Sequence, residues 1–383
     1  MFLSNSDIVE LTDFRRALHM KPEVSGEEAA TARAVAAFIA ASGPDDVMTG
    51  LGGHGVAALF DSRRPGPTIL IRCELDALPI EELSQKSWRS QIPGKGHLCG
   101  HDGHMAIVSA LARGLGRDRP RRGRVVLLFQ PAEENGAGAA GVIADPRFAE
   151  IKPDYAFALH NMPGLPLSFA ALPEGPTACA SRGLRIALTG KTSHSSMPQD
   201  GVSPMRAISE LMPALTGLGA GGRLDAAFRL VTVVHARMGE LSLGVAPGHG
   251  EIWATLRTMR NEDMAALCAE AESLAEKTAA ANGLDLALDY HEIFHHCDND
   301  PEATAILRQA FADENIPHGA GEPMRASEDF GLFGAVSKSA MFFFGSGEKS
   351  PQLHNPDFDF PDELIEPGAR IFMRAIRNLL DED

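Results

Sequence analysis

Four short runs in the chain are apolar at nearly every position instead of at alternate ones. They are Thr68-Ile69-Leu70-Ile71, Val125-Val126-Leu127-Leu128-Phe129, Tyr155-Ala156-Phe157-Ala158-Leu159 and Ala340-Met341-Phe342-Phe343-Phe344-Gly345. Runs of that length without alternation predict strands covered on both faces, as in a parallel sheet. Around them, apolar residues recur at helical spacing. Ile8, Leu11, Phe14 and Leu18 give one apolar face to a helix over 7–20, and an alanine-rich helix is predicted over 27–41. A further apolar stretch with helical spacing runs from Met105 to Leu115.

Each strand-like run leads into a side chain able to carry a proton or hold a cation. Glu74 and Asp76 follow the first run, the Glu133-Glu134 pair the second, His160 the third, and His354 lies a short loop beyond the fourth. Ligands of open α/β sheets bind outside the carboxyl ends of the strands, so the pattern predicts one α/β domain with its site at that edge. The middle of the chain has another texture. Leu184–Leu188, parts of Arg229–His235 and Glu251–Arg257 alternate, which predicts sheet with one solvated face. Helical patterns fill Pro204–Leu215 and Glu262–Ala281, and a last strand is predicted over Leu284–Tyr290. The order βαββαβ is that of a ferredoxin-like unit. The predicted organisation is therefore a discontinuous α/β domain over 1–181 and 294–383, with a ferredoxin-like domain inserted over 182–293.

Composition alters this picture in few places. A chain of 383 residues exceeds the usual size of one core, which agrees with two domains. A net charge of −16 argues against nucleic acid and against an anionic membrane as partners. No basic, then apolar leader is visible at the start, and no apolar run is long enough to span a bilayer. Five cysteines at scattered spacings suit a reducing cytosol better than a disulfide framework, so the expected location is cytoplasmic.

The densest chemistry lies in Gly96-His97-Leu98-Cys99-Gly100-His101-Asp102-Gly103-His104. Thiolate, imidazole and carboxylate together form a ligand set for zinc, manganese, cobalt or nickel. A lone histidine in a loop usually makes a local hydrogen bond, but this density favours a metal. Cys99 and His101 cannot fill a site alone. With one glutamate of the Glu133-Glu134 pair, His160 and His354 they supply enough donors for two divalent ions. Adjacent residues in extended backbone point to opposite sides, so the other glutamate is left free as a general base. Two metal ions can activate a water and polarise a carbonyl.

Ordered along nearly the whole chain are Arg15-Arg16-Ala17-Leu18-His19-Met20-Lys21-Pro22-Glu23, Leu75-Asp76-Ala77-Leu78-Pro79-Ile80, His97-Leu98-Cys99-Gly100-His101-Asp102-Gly103-His104 and Phe129-Gln130-Pro131-Ala132-Glu133-Glu134. Leu159-His160-Asn161-Met162-Pro163, Ser327-Glu328-Asp329-Phe330 and Leu353-His354-Asn355-Pro356 follow. In these motifs the chain resembles the amidohydrolase branch of the aminoacylase/carboxypeptidase metallopeptidase family, which includes hippurate hydrolases, N-acyl-amino-acid amidohydrolases and auxin-conjugate hydrolases. The resemblance implies a two-metal hydrolase with ligands Cys99, His101, Glu134, His160 and His354, and with Glu133 as general acid/base. It makes Asp76 a supporting acid that orients a ligand. It also implies an inserted domain that acts as a lid and as the surface of a homodimer, with His194 and Arg257 facing the substrate. Three positions depart from the family pattern: Glu74 stands for an aspartate, Ser203 for another, and Gly244-Val245-Ala246-Pro247 for Asn-Val-Ile-Pro, so Gly244 lacks an amide that would touch substrate. The expected activity is removal of an acyl group from an N-acyl amino acid or similar small amide. A dipeptidase or aminopeptidase on the same scaffold is the alternative, and a non-catalytic metal-binding descendant a third reading, disfavoured because binding alone needs no free base beside Glu134.

Overall fold

The computed structural model describes residues 2–381. Two compact units emerge. One runs to Thr177 and resumes at Cys297–Glu322 and from Glu328 onward; the other comprises Ala178–His296 and Pro323–Ser327. Among the described residues no helix is long and apolar enough to cross a membrane.

The first unit is built on an eight-stranded sheet. Its spatial order is Asp46–Leu51, Gly55–Asp61, Arg124–Gln130, Thr68–Glu74, Tyr155–Met162, Lys338–Gly345, Ala170–Leu172 and His318–Ala320. The four central strands, Arg124–Gln130, Thr68–Glu74, Tyr155–Met162 and Lys338–Gly345, are mutually parallel, and they contain the four apolar runs. Every residue of Thr68–Glu74 is buried, which is why that run carries no alternation. Val56, Phe60, Ile69, Ile71, Val125, Leu127, Phe129, Phe157, Phe342 and Phe344 form the core with apolar faces of the flanking helices, among them Asn5–His19, His101–Arg117 and Ile365–Leu380. Parallel strands end at the same edge, so the residues after Glu74, Gln130, Met162 and Gly345 are gathered there. Helix His101–Arg117 begins earlier than the apolar stretch from Met105 suggests. His101 is thus the first helical residue, behind a Gly100 N-cap.

The second unit carries a four-stranded, wholly antiparallel sheet ordered Arg229–Met238, His249–Thr258, Ala180–Thr189, Asp285–Phe294. In chain order these strands alternate with helices Met205–Gly217 and Asn261–Ala281 as βαββαβ, the ferredoxin-like arrangement. Leu184, Ile186, Leu188, Ile252 and Leu256 pack against Leu211, Leu215, Leu267 and Ala271 of the helices, leaving the alternate residues on the other face. The two-residue ladder Ser193–His194 with Val245–Ala246 stands beside this sheet.

Candidate metal centre

Two glycines allow the donor turn to form. Gly100 has φ +98°, and a Cβ there would lie 2.2 Å from Asn161 Oδ1; a Cβ at Gly103 would lie 2.2 Å from the Phe360 ring. Gly100 needs both a left-handed backbone and close approach, Gly103 close approach alone, and glycine meets both demands. The turn delivers Cys99 and His101 to the carboxyl edge of the sheet. His160, near the end of strand Tyr155–Met162, brings Nε2 to 3.4 Å from Cys99 Sγ. Beyond strand Arg124–Gln130, Glu134 Oε1 lies 3.8 Å from His101 Nε2 and its Oε2 3.6 Å from His354 Nε2. Donor atoms of Cys99, His101 and His160 lie within 4.8 Å of one another, and so do those of Cys99, Glu134 and His354. The two sets share Cys99.

The histidines are presented as lone-pair donors by what their other nitrogens do. His101 Nδ1 donates to the Asp76 carbonyl at 2.8 Å and His160 Nδ1 to the Asn161 carbonyl at 2.8 Å, which turns each Nε2 toward the cluster. His101 Nε2 and Glu134 Oε1 are buried without a hydrogen-bond partner. Buried polar atoms are rarely left so, and two of them in a cluster with a thiol fit a cation site. Burial, then the neighbouring His104 and His101, pushes the His160 pKa down to about 3, so its ring is neutral. Burial also disfavours charge on His101, but Asp76, Glu74 and Glu134 outweigh it and raise its pKa to about 10. The Cys99 thiol is pushed up by burial and by Glu134 and Glu133. A cation seated among them would take over the role of those protons.

Asp76 ties the site together. Its Oδ2 accepts from Ser25 Oγ at 2.7 Å and from the Glu134 backbone N–H at 3.0 Å. Glu133 turns to another neighbourhood. Its Oε2 is 3.9 Å from His101 Nε2, and its carboxylate groups with Glu328 and Asp329 within 4.8 Å. Burial and the charges of Glu328, Glu134 and Asp329 push the Glu133 carboxyl well above the usual range, against the pull of Arg72.

His104 is brought to the same place but is chemically spent. Nδ1 donates to Glu74 Oε2 at 2.6 Å, and Nε2 accepts from the Asn161 backbone N–H at 3.2 Å. His97 is buried away from the donors, beside the ring of His19.

The residues the sequence offers for substrate lie in the second unit. His194 is exposed; its Nδ1 lies 2.7 Å from Ser196 Oγ and 3.2 Å from the Ser196 backbone nitrogen, and its Nε2 has no such partner within the same loop. The Ser195 N–H donates to the Gly244 carbonyl at 3.0 Å, and a Cβ at Gly244 would meet open space. Arg257 donates to Ser327 Oγ at 2.8 Å and to the Arg325 carbonyl at 3.2 Å, and no carboxylate among the described residues pairs with it.

Sequence reasoning passed over Arg72. Fully buried within an apolar strand, it engages Glu74, Glu328 at 2.9 Å, Asp329 at 2.5 Å and Gln130 at 3.1 Å, and is the counter-charge for the acids around Glu133. An arginine inside the run Ile69-Leu70-Ile71-Arg72-Cys73 was the available signal, since an isolated buried charge is costly and implies partners.

The sequence of peptidase family M20/M25/M40 matches residues 70–378 of the chain. The N-acetyl-L-cysteine deacetylase of Bacillus subtilis (strain 168) is 29% identical over 375 residues, covering 98% of this chain and 89% of that protein. The hippurate hydrolase of Campylobacter jejuni is 28% identical over 370 residues, 95% of each. Among solved structures, the Bacillus subtilis YXEP protein, a dinuclear metal-binding peptidase of the M20 family, superposes with a TM-score of 0.82 at 25% identity over 99% of both chains.

Proposed function

The chain belongs to peptidase family M20/M25/M40, and from that premise we propose that it cleaves the amide bond of N-acyl amino acids or similar small amides at a two-metal centre. It is a metal-dependent amidohydrolase. Cys99, His101, Glu134, His160 and His354 hold the metals, Glu133 is the general base, and Asp76 orients His101 and the Glu134 backbone. The observation that carries the reading is the pair of three-donor sets sharing Cys99, with His101 Nε2 and Glu134 Oε1 unpartnered between them.

When bound, the two divalent ions supply the positive charge that acidifies a water and polarises the amide carbonyl. Glu133 takes the proton of that water and returns it to the leaving amine, a task its raised carboxyl pKa suits. His194 donates from Nε2 to the substrate's carbonyl oxygen as charge develops there. Arg257, without a carboxylate of its own, receives the substrate's α-carboxylate in a planar fork. Gly244 leaves room where a side-chain amide is missing, which favours acyl groups bulkier than acetyl.

The second unit also serves a homodimer. Strand Arg229–Met238 is a sheet edge, and Val234, Met238, Leu241 and Leu243 near it are exposed, the last two almost fully. Light scattering that finds only monomer at micromolar concentration would end that reading.

A panel of N-acyl amino acids, their carboxamides and free dipeptides, assayed with added manganese, zinc, cobalt or nickel, tests the activity. Acids should be preferred over carboxamides, and Arg257→Ala should erase the preference at a cost of about 1.5–3 kcal/mol in kcat/KM. Equal rates for acid and carboxamide in the natural protein would remove the clamp, and hydrolysis of free dipeptides alone would overturn the acyl assignment.

A further inference from the structure

Beneath the donor cluster lies a second set of buried charges. Asp102, the residue after His101, has Oδ2 2.9 Å from Arg15 Nε and 2.8 Å from His19 Nδ1. Arg15 and His19 stand one helical turn apart on Asn5–His19, so they share a face. His19 Nε2 in turn lies 3.2 Å from Glu82 Oε2. Side chains of Arg15, His19 and Asp102 are 0% exposed.

Arg15 has a second engagement. Its terminal nitrogen donates to the Asp359 carboxylate and, at 2.8 Å, to the Phe360 carbonyl. Asp359 and Phe360 lie between strand Lys338–Gly345 and helix Ile365–Leu380, on the segment that also carries His354. This segment needs holding from outside. His354 has φ +66°, a conformation that costs energy for a residue with a side chain, and its side chain is 48% exposed. It docks through its backbone N–H on the Leu98 carbonyl at 2.8 Å, next to Cys99.

An arginine that only balanced Asp102 would need one acid. Arg15 meets three: Asp102 on one segment, and Asp359 and Asp362 (3.6 Å from Nε) on another far along the chain, and each segment bears candidate metal donors. We propose that Arg15 is a positioning residue that sets the spacing of the metal site. Through Asp102 it fixes the turn carrying Cys99 and His101. Through Asp359 and Phe360 it fixes the segment carrying His354. The inference rests on the ligand assignment made above. Its physical basis is the narrow tolerance of a coordination sphere, whose supporting groups are worth about 10–100-fold in metal affinity.

The test titrates Co2+ into the metal-free full chain, following heat and the thiolate-to-cobalt absorption, for the natural protein, Asp359→Asn, Arg15→Lys and His354→Ala. Asp359→Asn leaves every donor and the Arg15–Asp102 pair in place. Its second Co2+ equivalent should bind about 10–100-fold more weakly while the first stays within about twofold. Arg15→Lys, which keeps the charge but also loosens the hold on Asp102 and the Cys99 turn, should weaken the second equivalent at least as much and the first as well. In Asp359→Asn a merely structural contribution would weaken both equivalents together or lower only the thermal midpoint, and either result overturns the proposal, as does unchanged binding. The His354→Ala protein separates the two levels. If it binds both equivalents normally, the ligand assignment fails; if it loses the second while Asp359→Asn keeps it, only the role of Arg15 fails.

Discussion

Replacing Glu133 by glutamine should lower turnover and raise stability at once, because the proposed base is also one acid among several. Glutamine keeps the size of the side chain and every donor atom of Cys99, His101, Glu134, His160 and His354. It removes the capacity to accept a proton. Loss of a positioned acid/base costs about 10²–10⁴ in kcat, or ~3–6 kcal/mol at ~1.4 kcal/mol per decade. Metal content should be unchanged. Stability moves the other way for an electrostatic reason. Glu133 is 5% exposed, and burial with Glu328, Glu134 and Asp329 raises its carboxyl pKa in the metal-free fold, against Arg72. An acid whose folded pKa exceeds its unfolded value, about 4.3, binds the extra proton in the folded state. Its ionisation therefore costs stability as pH rises from the ordinary carboxylate range toward the folded pKa. Glutamine has no such proton to lose. The metal-free Glu133→Gln protein should melt at or above the natural protein at neutral pH, with the difference shrinking as pH falls toward that unfolded value. Turnover, metal analysis and thermal melts across pH check all three. Near-full activity would remove Glu133 as the base. Loss of metal would mean that the two glutamates exchange roles, and a variant that melts progressively further below the natural protein as pH rises would refute the electrostatic argument.

Two further outcomes follow from the buried groups. Cys99→Ser should lose at least one metal ion and most activity, while Cys73→Ser and Cys268→Ser, in the apolar cores, keep both metals. Because burial and the two glutamates hold the Cys99 thiol protonated, metal affinity should fall as pH drops and protons compete; full occupancy in Cys99→Ser would strike Cys99 from the donors. His19 is charged in the fold: burial opposes this, but Asp102 and Glu82 raise its pKa to about 9. A histidine raised above its unfolded value stabilises fully below about pH 6.5 and loses that contribution as pH climbs through the folded pKa, on the order of 3 kcal/mol in all. The thermal midpoint of the metal-free protein should therefore fall between neutral pH and about pH 9, and His19→Gln should flatten that fall; an identical slope in the variant would refute it.

The central parallel strands were legible because burial on both faces leaves a local trace, an unbroken apolar run, and parallel strands must end on one edge. That geometry is enough to gather Glu133, Glu134, His160 and His354 before any coordinate is known, whereas Cys99 and His101 sit on a turn that no predicted strand places. The βαββαβ order was legible for the same reason, since one-sided burial alternates. The edge hairpin Asp46–Leu51 with Gly55–Asp61 and the short strand His318–Ala320 left no comparable mark. Nor did the return of Pro323–Ser327 to the second unit, where the Ser327 hydroxyl meets Arg257. His101 and His104 look alike in sequence, three residues apart on one helix. Only the fold distinguishes them: Glu74 and the Asn161 N–H occupy both nitrogens of His104, while the Asp76 carbonyl occupies one of His101 and leaves the other bare. Arg15 and Arg72 gave no hint of their partners, Asp359 and Glu328, which come from the far end of the chain. Periodicity is local, so the sequence by itself determined which segments are buried and which edge they share. Whether a buried polar atom is satisfied or left free to hold a cation depends on neighbours remote in sequence, and the tertiary structure alone decided that.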